Sequence, residues 1–150
     1  MAESGSFSLR KAVEADAAPI RRLIEAVGIN PMGLDWKRFI VAVDAPGGLM
    51  GCGQLKPHGP DILELASIAV EAGRRREGIA RAIIEELIED APRPLYLMCR
   101  DGLGPFYQKF GFQPLELEQM PRYFQRMKKL IRVYERLSNA EETVLVMKLQ

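Results

Sequence analysis

The sequence predicts a single mixed α/β domain, and three observations carry that prediction. Short apolar runs recur between turns rich in Gly and Pro, the mark of strands. Longer segments place apolar residues three and four apart, the mark of amphipathic helices. The chain has 150 residues, 47% apolar and 27% charged, enough for one hydrophobic core under a charged surface.

After a polar lead over residues 1–5, residues 7–11 alternate apolar and polar and read as a strand. Residues 14–28 follow as a helix. Asp16 is placed to cap it, Pro19 falls in its first turn, where a missing N–H does little harm, and Gly28 ends it. Ile20, Leu23, Ile24 and Val27 form its apolar stripe. Pro31 and Gly33 make residues 30–36 a loop. Residues 38–43 and 49–55 are strands joined by a turn over 44–48. A Lys-Pro-His-Gly-Pro turn over 56–60 leads to a fourth strand over 61–70, so the strands form an antiparallel meander. His58 lies in that turn and is expected to be exposed.

A loop over 71–77 precedes a helix opened by Gly78. Ile79, Ala80, Ile83, Ile84, Leu87 and Ile88 form its stripe, and Pro92 and Pro94 close it. Residues 95–99 are a strand, 101–105 a loop, 106–110 a short helix ended by Gly111, and 112–117 a short strand. Residues 121–137 form a last helix, with Tyr123, Phe124, Met127, Leu130, Ile131, Tyr134 and Leu137 along one side. Residues 143–147 close the chain as a strand. No repeat or linker interrupts the pattern.

The formal charge of +1 offers no general pull toward nucleic acid or anionic membrane. Cys52 and Cys99 sit in apolar runs without Cys-x-x-Cys spacing, as buried free thiols would. A lone histidine cannot build a metal centre with such neighbours, so no metal is expected. No apolar leader or membrane-length stretch is present, and the cytoplasm is the expected location.

The most informative segment runs from Leu65 to Arg81. A strand enters a basic, glycine-containing turn, which enters a helix. A helix N-terminus offers unpaired N–H groups and the positive end of the dipole, a natural anion site. Neither a Walker loop nor a dinucleotide fingerprint is present. The spacing Arg75-x-x-Gly78-x-Ala80 resembles the Arg/Gln-x-x-Gly-x-Gly/Ala motif of the GNAT superfamily, with Ala80 at a position where glycine is commoner. Phe106-Tyr-Gln-Lys-Phe-Gly-Phe112 is similar to that family's Phe-Tyr-x-Lys-x-Gly-Phe segment and matches it in full. The family often carries an Asn shortly before this tyrosine; the stretch from Cys99 to Pro105 has none.

The resemblance implies a GNAT-like fold, a mixed and mostly antiparallel sheet with helices on both faces, and residues 116–140 as a helical insertion between the last two strands. It implies acetyl-CoA as co-substrate. Arg75, Arg76, Glu77, Gly78, Ile79, Ala80 and Arg81 would hold its pyrophosphate, Ile68, Ala69 and Val70 its pantetheine arm through main chain, and Phe106, Tyr107 and Lys109 would lie against it. It also implies an N-acetyltransferase in which a primary amine attacks directly. Tyr107 would donate a proton to the leaving thiolate, or else pack. Glu64, eleven residues before Arg75, resembles the catalytic glutamate of the histone-acetylating branch. It would take the amine proton, or else face solvent as a strand carboxylate.

Two other readings stay open at this level: a non-catalytic acetyl-CoA-sensing module, and a nucleic-acid or membrane-surface protein using the basic helix over 121–137. That helix carries Arg122, Arg126, Lys128, Lys129, Arg132 and Arg136. Its apolar spacing favours a packed helix with a solvated basic face. The expected partner is thus a small amine or a protein amino group, with no nucleic acid and no membrane, and a homodimer stays open.

Overall fold

The computed structural model describes residues 7–138 and 143–150. The polar lead over 1–5 and the last residues of the insertion, 139–140, lie outside the described residues. Strands β1 (Ser8–Lys11), β2 (Phe39–Val43), β3 (Leu49–His58), β4 (Ile62–Val70), β5 (Leu95–Arg100), β6 (Gln113–Pro114) and β7 (Val144–Leu149) form one sheet of order β1-β2-β3-β4-β5-β7-β6. Helices α1 (Ala17–Val27), α2 (Ile79–Glu89), α3 (Gly104–Gln108) and α4 (Arg122–Ser138) interleave with them. Pairing is antiparallel for β1–β2, β2–β3, β5–β7 and β6–β7, and parallel for β4–β5 at Glu64–Tyr96. The chain divides into two compact units: residues up to Lys56 with Leu65–Ala91, and Pro57–Glu64 with residues from Pro92 onward.

In the first unit, strand alternation assigns the helices to faces. Phe39, Val41 and Val43 of β2 share a buried cluster with Cys52 of β3, Ala69 of β4, and Ile20 and Ile24 of α1. The register sets Val41 against Cys52, so these side chains share one face. Gly51 and Gly53, flanking Cys52, present the other face to α2. A Cβ on Gly51 would stand 2.8 Å from Ile79 Cγ2, and one on Gly53 would stand 2.9 Å from Ile83 Cγ2. The glycines of β3 let α2 seat directly on the sheet, a role their spacing in the sequence does not reveal.

Helix α1 ends where the sequence predicts. Gly28 takes φ 79°, which L side chains disfavour, and its N–H bonds back to the last turn. Its start differs. Asp16 does not cap the helix; its carboxylate accepts from Arg10 Nη1 at 2.7 Å and from the Val13 N–H at 2.7 Å. A guanidinium two strand residues from the chain turn outcompetes the helix amides for that side chain.

In the second unit the same alternation holds. Tyr96 of β5 and Val146 of β7 pack with Met120 and Phe124 beneath α4. On the opposite face, Leu95, Leu97 and Met147 are buried. There a Cβ on Gly104 would stand 2.9 Å from Leu145 Cδ1, which places α3 on that face. Tyr107 is buried with Phe112, whereas Phe106 and Phe110 are only half-buried. The predicted strand over 112–117 shortens to two residues. Beyond its first turns α4 departs from expectation: Leu130, Tyr134 and Leu137 are 65%, 69% and 83% exposed. Helical spacing made them core candidates, but among the described residues the sheet underlies only the N-terminal part of this helix.

Candidate active site

The turn before α2 is built as an anion would require. A 3-10 turn over Ala72–Arg74 is followed by Arg76 at φ 70° and Gly78 at φ 81°. Left-handed residues that alternate with an ordinary one bend the backbone sharply, a conformation that can gather N–H groups toward a common concavity. Gly78 is the N-cap of α2 and supplies no capping side chain. A Cβ added there would meet nothing within 4 Å, so the approach to the first-turn amides of Ile79, Ala80 and Arg81 is open. Arg75, Arg76 and Arg81 are exposed around it, while Glu77 and Ala80 are half-buried. The Ile79 side chain is buried, which leaves its main chain for any ligand. Arg74 is engaged elsewhere, 3.8 Å from Asp44. These residues fit a diphosphate.

Strand β4 carries a strained residue, Ser67, at φ 60°. Its hydroxyl accepts from Gln54 Nε2 at 2.9 Å, and its carbonyl accepts from Cys52 Sγ at 3.6 Å. Gln54 is fully buried, and its Oε1 has no hydrogen-bond partner among the described residues. The Glu71 N–H bonds to Met50 of β3. Alternation therefore turns the main chain of Ala69 toward β3 and that of Ile68 and Val70 toward the other edge. Of the three expected main-chain contacts, Ile68 and Val70 present their N–H groups on the far edge.

Tyr107 lies on the α3 face of β5, edge-on to Phe106 at 5.0 Å and to Phe112 at 6.2 Å. Burial, reinforced by the nearby Cys99, pushes its phenol well above the ordinary value, so the hydroxyl holds its proton. Burial likewise pushes Cys99 up to about 11 and Cys52 up to about 12. Lys109 is exposed in the turn after α3.

Glu64 lies on the opposite, α4 face, because its register partner is Tyr96. It is neither a solvent-facing strand carboxylate nor alone. His58 Nε2 stands 2.6 Å from Glu64 Oε1, and the two side chains are 11% and 12% exposed. The expected exposed turn at His58 is thus corrected: β3 continues through His58, and Gly59, at φ 73°, takes the turn. Tyr123 of α4 stacks on the imidazole at 3.8 Å. Burial, then the charge of Glu64, raises the Tyr123 phenol above its ordinary value. Sequence reading missed His58 and Tyr123. The available signal was hairpin arithmetic: a turn at 59–61 sets residue 58 opposite 62 and puts residue 64, two further along, on the same face as a diagonal neighbour. Among the described residues no group of three or more His, Cys, Asp or Glu is placed to hold a metal.

A model of the GNAT acetyltransferase domain matches residues 35–114. N-acetylglutamate synthase from Neisseria gonorrhoeae, solved with coenzyme A and L-arginine, superposes with a TM-score of 0.72 at 20% identity over 97% of this chain and 34% of that one. Rv2747 from Mycobacterium tuberculosis, solved with CoA and a second ligand, gives 0.70 at 22% identity over 95% and 98%. Escherichia coli ElaA gives 0.67 at 15% identity over 96% and 99%. At these identities the likeness is one of fold, and the chain spans about a third of the synthase's length. No curated protein sequence matches the chain.

Proposed function

The chain belongs to the GNAT acetyltransferase family, and from that premise we propose that it transfers the acetyl group of acetyl-CoA to a primary amine by direct attack. The observation that carries the reading is the open, uncapped start of α2 at Gly78, with Arg75, Arg76 and Arg81 around it. Its amides and dipole are suited to the coenzyme's pyrophosphate.

Acetyl-CoA supplies an acyl group activated as a thioester. The chain's own residues do the rest. Glu64 takes the proton from the ammonium, so that nitrogen attacks as a neutral nucleophile. The N–H groups of Ile68 and Val70 hydrogen-bond the pantetheine and the thioester oxygen, where negative charge develops. Tyr107, kept protonated by burial, donates its proton to the departing sulfur. Within the second unit, donor and acceptor stand on opposite faces of β5.

An amino-acid α-amine is the acceptor class to test first. Two crystal structures of the Neisseria enzyme are of an N-acetylglutamate synthase, one of them solved with N-acetyl-glutamate. Purified protein is incubated with acetyl-CoA and a panel of amino acids and simple amines, and products are read by mass spectrometry alongside thiol release. Because burial lifts both cysteines to about 11 and about 12, they add little thiolate background near pH 8. Acetylated product establishes the activity. Tight binding without product across the panel makes the chain a sensor of acetyl-CoA, and absence of binding removes the loop assignment.

A further inference from the structure

We propose that His58 is a positioning residue for Glu64, holding carboxylate oxygen Oε1 so that Oε2 is presented to the acceptor amine. This rests on the reading of Glu64 as the proton acceptor. The 2.6 Å separation is that of a short, charge-assisted hydrogen bond between side chains almost wholly removed from solvent. A carboxylate on a flexible two-carbon stem otherwise samples several rotamers, and one fixed oxygen removes most of that freedom.

The imidazole is itself held. Tyr123 covers one face at 3.8 Å with an interplanar angle of 20°, and Phe124 meets it edge-on at 6.2 Å. Both come from the first turn of α4, so the helix inserted between β6 and β7 has its best-packed end at the Glu64 pair. Nε2 is engaged with Glu64, and Nδ1 lies beside its own Cβ and main chain. The free carboxylate oxygen, at the end of its side chain, is the atom better placed to meet an amine. The other titratable groups facing the pair are Tyr123 from α4 and Tyr96, the register partner of Glu64 on β5.

Two substitutions separate the hydrogen bond from the stack. His58→Phe keeps an aromatic ring against Tyr123 and removes the donor. His58→Gln keeps an N–H within reach of Glu64 and removes the ring. The expected result is a fall of about ten- to a hundredfold in kcat/KM for the amine in His58→Phe, with acetyl-CoA affinity unchanged. His58→Gln recovers most of the rate.

His58 is the chain's one histidine, so its imidazole nitrogen signals identify themselves in an NMR spectrum of the wild-type protein. The proton is expected on Nε2, with a shift that changes in Glu64→Gln. An Nδ1–H tautomer indifferent to Glu64, or His58→Phe at wild-type rate while Glu64→Gln is inactive, overturns the proposal. Glu64→Gln at wild-type rate instead overturns the reading of Glu64 on which it rests.

Discussion

Tyr107 is buried on the α3 face of β5 with its phenol held protonated by burial and by Cys99. In the proposed role of proton donor it has no need of activation at neutral pH; its cost is that the raised pKa makes proton release to the leaving thiolate harder. Tyr107→Phe is expected to lower kcat about ten- to a hundredfold while leaving acetyl-CoA affinity within a few-fold. No alkaline limb from this phenol is expected below its ordinary value of about 10. Steady-state rates with a binding titration check both; unchanged kcat reduces Tyr107 to packing. Asp16 makes the second prediction. Hydrogen bonds from Arg10 and the Val13 N–H hold its carboxyl below the ordinary range, against the opposing effect of burial. A depressed folded pKa contributes stability that is present in full above the unfolded value of about 3.9 and is lost as pH falls through the folded value. Asp16→Asn is expected to cost about 1–2 kcal/mol at pH 7, with the difference from wild type closing below about pH 4. Urea midpoints at several pH values measure it.

At the scale of elements, the turn into α2 separates backbone strain from electrostatics. Gly78 sits at φ 81° with open space where a side chain would project. Any substitution there carries the left-handed penalty, about 1–2 kcal/mol, least for Asn and Asp. Asn and Asp are near-isosteres, so Gly78→Asn and Gly78→Asp differ chiefly in charge. The Asp variant is expected to lose acetyl-CoA affinity by more than tenfold relative to the Asn variant, since it sets a carboxylate against the pyrophosphate. Equal affinities in a calorimetric titration would remove the helix start from the site. Elements also show what the sequence could display. The stripe of α2 was legible because its central residues, Ile79, Ile83, Ile84 and Leu87, are all buried. The stripe of α4 was misleading because its spacing continues past the sheet: Phe124 is buried, whereas Tyr134, ten residues on, is exposed. The strand β3 was truncated at Leu55 in sequence because Pro57, Gly59 and Pro60 resemble a turn as a group. Only Gly59 takes left-handed φ, and the strand carries His58 to Glu64 before it reverses.

For the whole molecule, a ligand that binds only the native state adds RT ln(1 + [L]/Kd) to stability, about 2.7 kcal/mol at one hundred times Kd. For a chain of this length that raises Tm by about 5–10 °C. Acetyl-CoA is expected to produce such a shift, with ATP and NAD at the same concentration producing none. A shift from all three would mark a general polyphosphate site, and a shift from none would remove the coenzyme. The order of strands and helices, and the helix start at Gly78, were determined by the sequence alone, because periodicity, turn residues and a helix start are local properties of consecutive residues. What the tertiary structure alone decided is which faces those elements present. It set Tyr107 and Glu64 on opposite faces of β5, turned Ala69 toward β3, gave Asp16 to Arg10, and closed His58 onto Glu64 under Tyr123. Each of these depends on a register or a packing contact between residues separated along the chain, and such contacts are settled by burial and hydrogen-bond competition across the sheet, which no local pattern encodes.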